Sequence, residues 1–474
     1  MSESIGEMLI PATYIEVRAE GLIGVGGIST GTIGVIGTAN RGPLNTVRAL
    51  GTYSDALNLF GTYDAWPEDP TTDAHLTLTR TLEQVFRGGA SDVLAVRVAN
   101  VAPGTMASTT WTLTEGGDVL STLTAQTPGS WANDIEAALV VPAQVSDPLT
   151  LTLTLGADRE TYEGMTITDL VDEINDASNF VTASDPAQAD EARRPDTVAQ
   201  SATLGGPDGA GAMNALIPQI NEGLALLADR TVNLLVIAGY NADVIRGAVL
   251  GHLESTETNG LERIAVMGVS GDDLQTVATD ASNVSNRRAV LVAPGIEAVD
   301  ASTGGTERLP AAYAAALVAG RLSTLAPHIS LTNKDVAVDG LTTYYSRAQQ
   351  KQLLQNRIMA LHRNLGIRAL RGITTDTGPF QQISVRRIVD FAKAGVRIGS
   401  NPYIGRLNNS RVRAALKATL DGFLSQMVVD EMLVSYELDV SATRAQEIAG
   451  IAAVTMTLRP TFSIDFIRVT MNLE

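Results

Sequence analysis

Five short runs constrain the fold of this chain more than anything else in it: "GTIGVIG" (31–37), "DVLAVRV" (92–98), "NLLVIAG" (233–239), "RIAVMGV" (263–269) and "RAVLVAPG" (288–295). Each is apolar, rich in β-branched residues and of strand length, which predicts strands covered on both faces. Stretches with helical patterning lie between or after them, at 77–89, 212–228, 241–253 and 310–323. Alternation of buried strands with helices builds a doubly wound α/β layer structure. The sequence assigns that core to residues 21–100 and 203–340.

Between the two halves, residues 101–202 change character. Thr-rich alternation in "TWTLTEG" and "PLTLTLTLG", with one short helix near "TDLVDEIND" (168–176), predicts a small α+β insertion. The run "SDPAQADEARRPD" (184–196) reads as an exposed loop at its exit. Beyond residue 341 a mixed α+β region follows, with a Gln-, Arg- and Leu-rich helix predicted over 346–364 and a second over 408–428. On the second, Val412, Leu416, Leu420, Phe423 and Met427 share one face, Arg413 and Lys417 flank it, and Ser410 is the expected N-cap. "MLVSYELDVS" (432–441) and "AVTMTLRP" (453–460) are strand-like.

The two ends carry strand patterning with no partner in view. "PATYIEVR" (11–18) alternates near the start, and "RPTFSIDFIRVTMNLE" (459–474) closes the chain. In the last segment Phe462, Ile464 and Phe466 hold one phase, while Ile467, Val469, Met471 and Leu473 take the other, so a bulge or a change of buried face is expected near 466. Such strands either pack as edges on their own domain or are donated to a neighbour.

Charge is unevenly spread. The net charge is −18, yet residues 341–474 hold 17 basic against 10 acidic side chains, and 341–420 hold 14 against 2. Residues 1–340, with 17 basic against 42 acidic, are strongly acidic. The basic region lacks the interleaved aromatics of a single-strand nucleic-acid platform, which favours an acidic protein surface as its partner.

Several chemistries are excluded by residue content. There is no cysteine, hence no disulfide, thiol nucleophile or thiolate metal site. The glycines at 24, 26, 27 and 31 precede a strand instead of following one, so they read as a connector and not as a dinucleotide loop. No lysine occurs before Lys334, no Gly-x-Ser-x-Gly is present, and the four histidines at 75, 252, 328 and 362 are scattered, with His75 expected at the surface or a helix cap. The N-terminus lacks a secretory signature, and the longest apolar stretch, 310–320, is too short for a bilayer. No catalytic residue, cofactor, metal or membrane partner is expected.

Taken in order, "PATYIEV", "GTIGVIGTANRGPLN", "LGTYSDALNLFG", "TPGSWANDI", "LGGPDG", "VLVAPG", "PAAYAAALVAGRLS", "VRRIVDFAKA" and the closing "RPTFSIDFIRVTMNLE" resemble the contractile tail sheath proteins of long-tailed phages and of related bacteriocin and injection particles. The resemblance implies a non-enzymatic structural subunit that winds as stacked hexameric rings round an inner tube and meets tube, baseplate and tail terminator proteins, without nucleic acid. Assembly would take place in the bacterial host cytoplasm, into the virion tail or into a bacteriocin or injection particle. It also implies that residues 1–20 and 461–474 are arms completing a sheet on adjacent subunits, through Tyr14, Ile15 and Val17 at one end and Ile464, Phe466, Ile467, Val469 and Met471 at the other. Gly24, Gly26 and Gly27 would form part of a hinge. The α/β core and insertion would lie outward and residues 341–460 inward, where the charge pattern nominates Arg411, Arg413 and Lys417 to meet an acidic tube wall.

Overall fold

The structure, a computed structural model, describes residues 27–473 except 65, 68–74, 101–109, 192, 203–207, 209–212 and 301–303. Tyr14, Ile15, Val17, Gly24 and Gly26 therefore lie outside the described residues.

All five predicted buried runs form strands, and they meet in one eight-stranded sheet. Its order is Ile367–Ala369, Met359–Arg363, Ala289–Ala293, Ile264–Gly268, Leu234–Ile237, Ile33–Gly37, Val93–Arg97, Val47–Leu50. The inner pairings are parallel, and the outermost strand at each edge runs antiparallel. Because successive strand side chains point to opposite faces, Val35 and Ile36 head two different cores. Val35, Leu234, Val266 and Val290 pack with helices Leu78–Arg87 and Ala311–Ser323. Ile36, Leu235, Ala265 and Leu291 pack with helices Ile217–Ala228, Ala242–Thr258 and Leu274–Asn283. The two helices of the first face touch through glycine: a Cβ on Gly320 would collide with the Val85 carbonyl.

The sheet does not end at residue 340. The helix expected over 346–364 covers only Arg347–Gln355, after a Ser346 capping box, and Arg357 then adopts a left-handed conformation (φ 60°). Ile358, Met359, Ala360 and Leu361 are all buried, which an amphipathic helix cannot arrange and a strand inside a covered sheet can. Local helix propensity loses here to the apolar run, and Met359–Arg363 pairs parallel with Ala289–Ala293.

The insertion is built from two small antiparallel sheets, Thr110–Glu115/Asp118–Ala125/Val181–Ala183 and Val198–Ala202/Ile135–Val140/Leu149–Leu155/Asp158–Gly164, with helix Ile167–Ala177. In "LTLTLTL" the leucines 149, 151 and 153 are fully buried and join Ile135, Leu139, Leu170 and Ile174 in a separate core. The threonines between them are partly exposed, as strand alternation requires.

At the C-terminus, helix Ile383–Ser400 leads to helix Ser410–Val429, on which strands Leu433–Ser441 and Ala453–Pro460 fold as an antiparallel pair. The cap of the second helix is Asn409, whose Oδ1 accepts from Val412 N at 2.9 Å; it stands one residue before the expected Ser410. The predicted stripe holds, with Leu416, Leu420, Phe423 and Met427 buried. Residues 461–473, expected as a strand, join no ladder among the described residues.

Candidate assembly interface

The pair Leu433–Ser441/Ala453–Pro460 is a two-stranded sheet with two open edges, since no further described strand pairs with either member. An isolated pair is marginal in water; here one face is supported by Leu416, Leu420, Phe423 and Leu424 of the helix below. Open edges are places where another chain can add a strand.

The tail continues from Pro460, the last residue of the pair. Ile464, Phe466, Ile467, Val469, Met471 and Leu473 are between 73 and 100% exposed. Six large apolar side chains in ten residues left in water mark a surface meant to be covered. Gly27, the one hinge candidate among the described residues, has φ +77° with nothing near a hypothetical Cβ, a conformation that favours glycine.

The tube-facing candidates share the helix Ser410–Val429 but not the same surroundings. Arg413 donates to Asn408 Oδ1 at 2.8 Å and Glu447 Oε1 at 3.1 Å, and its side chain is only 15% exposed. Lys417 is half exposed, 3.9 Å from Asp439. Arg411 is exposed.

Much of the basic excess is directed inward. Arg288, 1% exposed, donates to Glu257 and to Asp390, while Arg386 also holds Asp390 at 2.6 Å. Lys393 and Arg397 hold Glu262 at 3.2 and 2.7 Å. Arg387 donates to the carbonyls of Thr30, Leu325 and Ala326. These bonds tie helix Ile383–Ser400 to the underside of the α/β sheet. The Arg288 and Arg287 guanidinium groups hold the Glu257 carboxyl well below the usual carboxylate range. Burial alone would push Glu262 up, but Arg397 and Lys393 keep it low. Burial, aided by Arg263, lowers His252 to about 4.

His75, expected at the surface or a cap, is buried with its ring edge-on to Trp66 at 5.3 Å. Among the described residues no cluster of three or more potential ligands could hold a metal ion, and no helix is long and apolar enough to cross a membrane.

Comparison with known proteins agrees with this geometry. Residues 211–375 match the phage tail sheath protein central domain and residues 375–474 the phage tail sheath C-terminal domain. A tail sheath protein of Bacillus phage SP01 is 26% identical over 223 residues, a match that spans 45% of this chain and 39% of that protein. A sheath tail protein from Desulfitobacterium hafniense, 18% identical, superposes with a TM-score of 0.66 over 95% of this chain and 100% of its own. The helical sheath of the anti-feeding prophage in its contracted state, 14% identical, gives 0.56 over 99 and 100%. The two domain matches adjoin at residue 375 and together take in more than half of the sequence, so the chain belongs to the phage tail sheath family.

Proposed function

We propose that this chain is the repeating subunit of a contractile tail sheath, polymerising helically round an inner tube and shortening to drive that tube through a target envelope. One observation carries the reading: the same subunit has both a tail of exposed apolar residues (464–473) and a strand pair with two open edges among the described residues. Each ladder bond formed by a donated strand contributes about 0.5–1.5 kcal/mol net, and each Ile or Phe it buries about 1.5–3 kcal/mol. A single exchanged strand therefore holds two subunits by several kcal/mol while the bodies remain free to change their packing.

In this reading residues 1–20 and 461–474 are the exchanged arms, 21–100 and 203–340 the core of the sheath, 101–202 an outward insertion and 341–460 the domain facing the tube. Contraction is a switch between two packings of rigid bodies, with Gly24, Gly26 and Gly27 in the hinge. Rings of six, tube, baseplate and terminator contacts, and assembly in the host cytoplasm belong to the same proposal; no enzymatic activity is part of it. The likeness to the anti-feeding prophage sheath favours a second reading for the particle, an injection device or bacteriocin without a genome.

Electron microscopy of the purified protein tests the core claim: hollow cylinders are expected, and a stable monomer with esterase or nucleotidase turnover would overturn it. A particle image with or without a DNA-filled head separates phage from injection device. For the tube contact, Lys417→Glu is the clean probe, because Arg413 is already engaged by Glu447. It should leave subunit stability within about 0.5 kcal/mol, as exposed charge changes do, while co-assembly with tube falls about tenfold through lost charge complementarity. Unchanged co-assembly would remove Lys417 from the contact.

A further inference from the structure

We propose that Asp465 is a latch that fixes the root of the C-terminal arm to its own subunit, so that only Ile467–Leu473 is exchanged. This rests on the arm reading above and adds where the arm pivots.

The carboxylate of Asp465 is only 5% exposed although it sits in an otherwise exposed tail. Four side chains converge on it. Arg371 Nε donates to Oδ2 at 2.8 Å and Gln382 Nε2 donates to the same oxygen at 3.1 Å; Thr332 Oγ1 and Ser463 Oγ donate to Oδ1 at 3.1 and 3.2 Å. The backbone is held as well: Ser463 N donates to Gln382 Oε1 at 3.2 Å, and Thr461 N to the Met432 carbonyl at 3.0 Å. Gln382 is the N-cap of helix Ile383–Ser400, whose positive end suits a carboxylate. Thr332 and Arg371 flank the sheet-edge strand Ile367–Ala369. The latch thus joins three separate parts of one subunit, and Arg371 also stacks on Phe466 with its guanidinium 5.4 Å from the ring centroid.

The sequence marks the same place independently. Its alternation slips between Phe466 and Ile467, one residue past the latch. Two unrelated surfaces setting the two phases account for that slip: up to 466 the phase is fixed by the subunit's own body, and from 467 by the neighbour. Seven residues, 467–473, reach about 23 Å when extended, which matches the eight residues of Ala453–Pro460 they would lie against.

Hydrogen exchange and assembly of the full chain test this together. In the free subunit the Ser463 amide should exchange at least about tenfold more slowly than the amides of 467–473, since its bond to Gln382 must open first. In Asp465→Ala that protection should disappear, and the protein concentration needed for tubes should rise about tenfold or more, the loss expected for charge-assisted bonds. Asp465→Asn should fall between, because it keeps acceptors for Thr332 and Ser463. The unfolding midpoint of the subunit should drop by no more than a few degrees, so assembly compared well below it separates positioning from plain stability. Gln382→Ala serves the same test should Asp465→Ala misfold. Ser463 exchanging as fast as 467–473, or Asp465→Ala assembling at the wild-type concentration, overturns the latch. A chain ending at Asp465 distinguishes the two failures: if it assembles normally, the arm reading falls; if it does not while Asp465→Ala does, only the latch falls.

Discussion

A chain that stops at Asp465 should fold as a monomer and form no tubes. Ile467, Val469, Met471 and Leu473 are 73–100% exposed in the subunit, so their removal costs the isolated fold almost nothing, and the unfolding midpoint should stay within a degree or two, as for surface changes generally. In a polymer the same residues would supply most of the exchanged strand. Four buried aliphatic side chains at about 1.5–3 kcal/mol each and several ladder bonds at about 1 kcal/mol each amount to roughly 10 kcal/mol per contact. Losing that raises the assembly threshold by many orders of magnitude. Sedimentation velocity and negative-stain microscopy across a concentration series give the answer directly, and normal cylinders from the shortened chain would end the account.

The second large effect is expected inside the molecule. Arg288→Ala should destabilise the subunit by about 3 kcal/mol or more, the cost of removing one partner from a buried ion pair. Arg288 is 1% exposed, and its carboxylate partners Glu257 and Asp390 are 20 and 16% exposed. Arg287, Lys393 and Arg386 remain close and moderate the loss. The sign with pH follows from the shifts. Glu257 is depressed in the folded state, so its stabilisation is complete above the ordinary carboxylate value, about 4.3, and is lost as pH falls through the folded value. His252 titrates near 4 when folded and near 6.5 when unfolded, so the unfolded chain gains a proton first and stability declines between those values. Wild-type stability should therefore be flat above pH 7 and fall on acidification, whereas Arg288→Ala should show a shallower fall below pH 4.5. Urea titrations at pH 7, 5 and 4 measure both, and parallel pH curves for the two proteins would assign the acid sensitivity elsewhere.

The central sheet was readable because its strands are contiguous apolar runs: nothing but a covered strand accommodates "GTIGVIG" or "RAVLVAPG" at those lengths. The segment 346–364 was not, because Gln, Arg and Leu favour a helix locally while the burial of Ile358–Leu361 is decided by a sheet assembled from residues far away. Part of the basic excess of 341–420 is likewise matched inside the subunit. Its partners lie at long range: Lys393 and Arg397 meet Glu262, and Arg371 meets Asp465. Composition records such charges without showing that they are already matched. Asp465, Arg371 and Gln382 were missed, although a lone carboxylate beside a break in alternation was a visible sign.

The insertion leaves the sheet after Val93–Arg97 and the chain returns to it at Leu234–Ile237, the two strands that flank Ile33–Gly37. The return passes through core helix Ile217–Ala228, and the inserted region carries a core of its own. Length and sequence can change within 110–202 without disturbing a single ladder of the main sheet, which makes this excursion the natural socket for grafting a foreign domain.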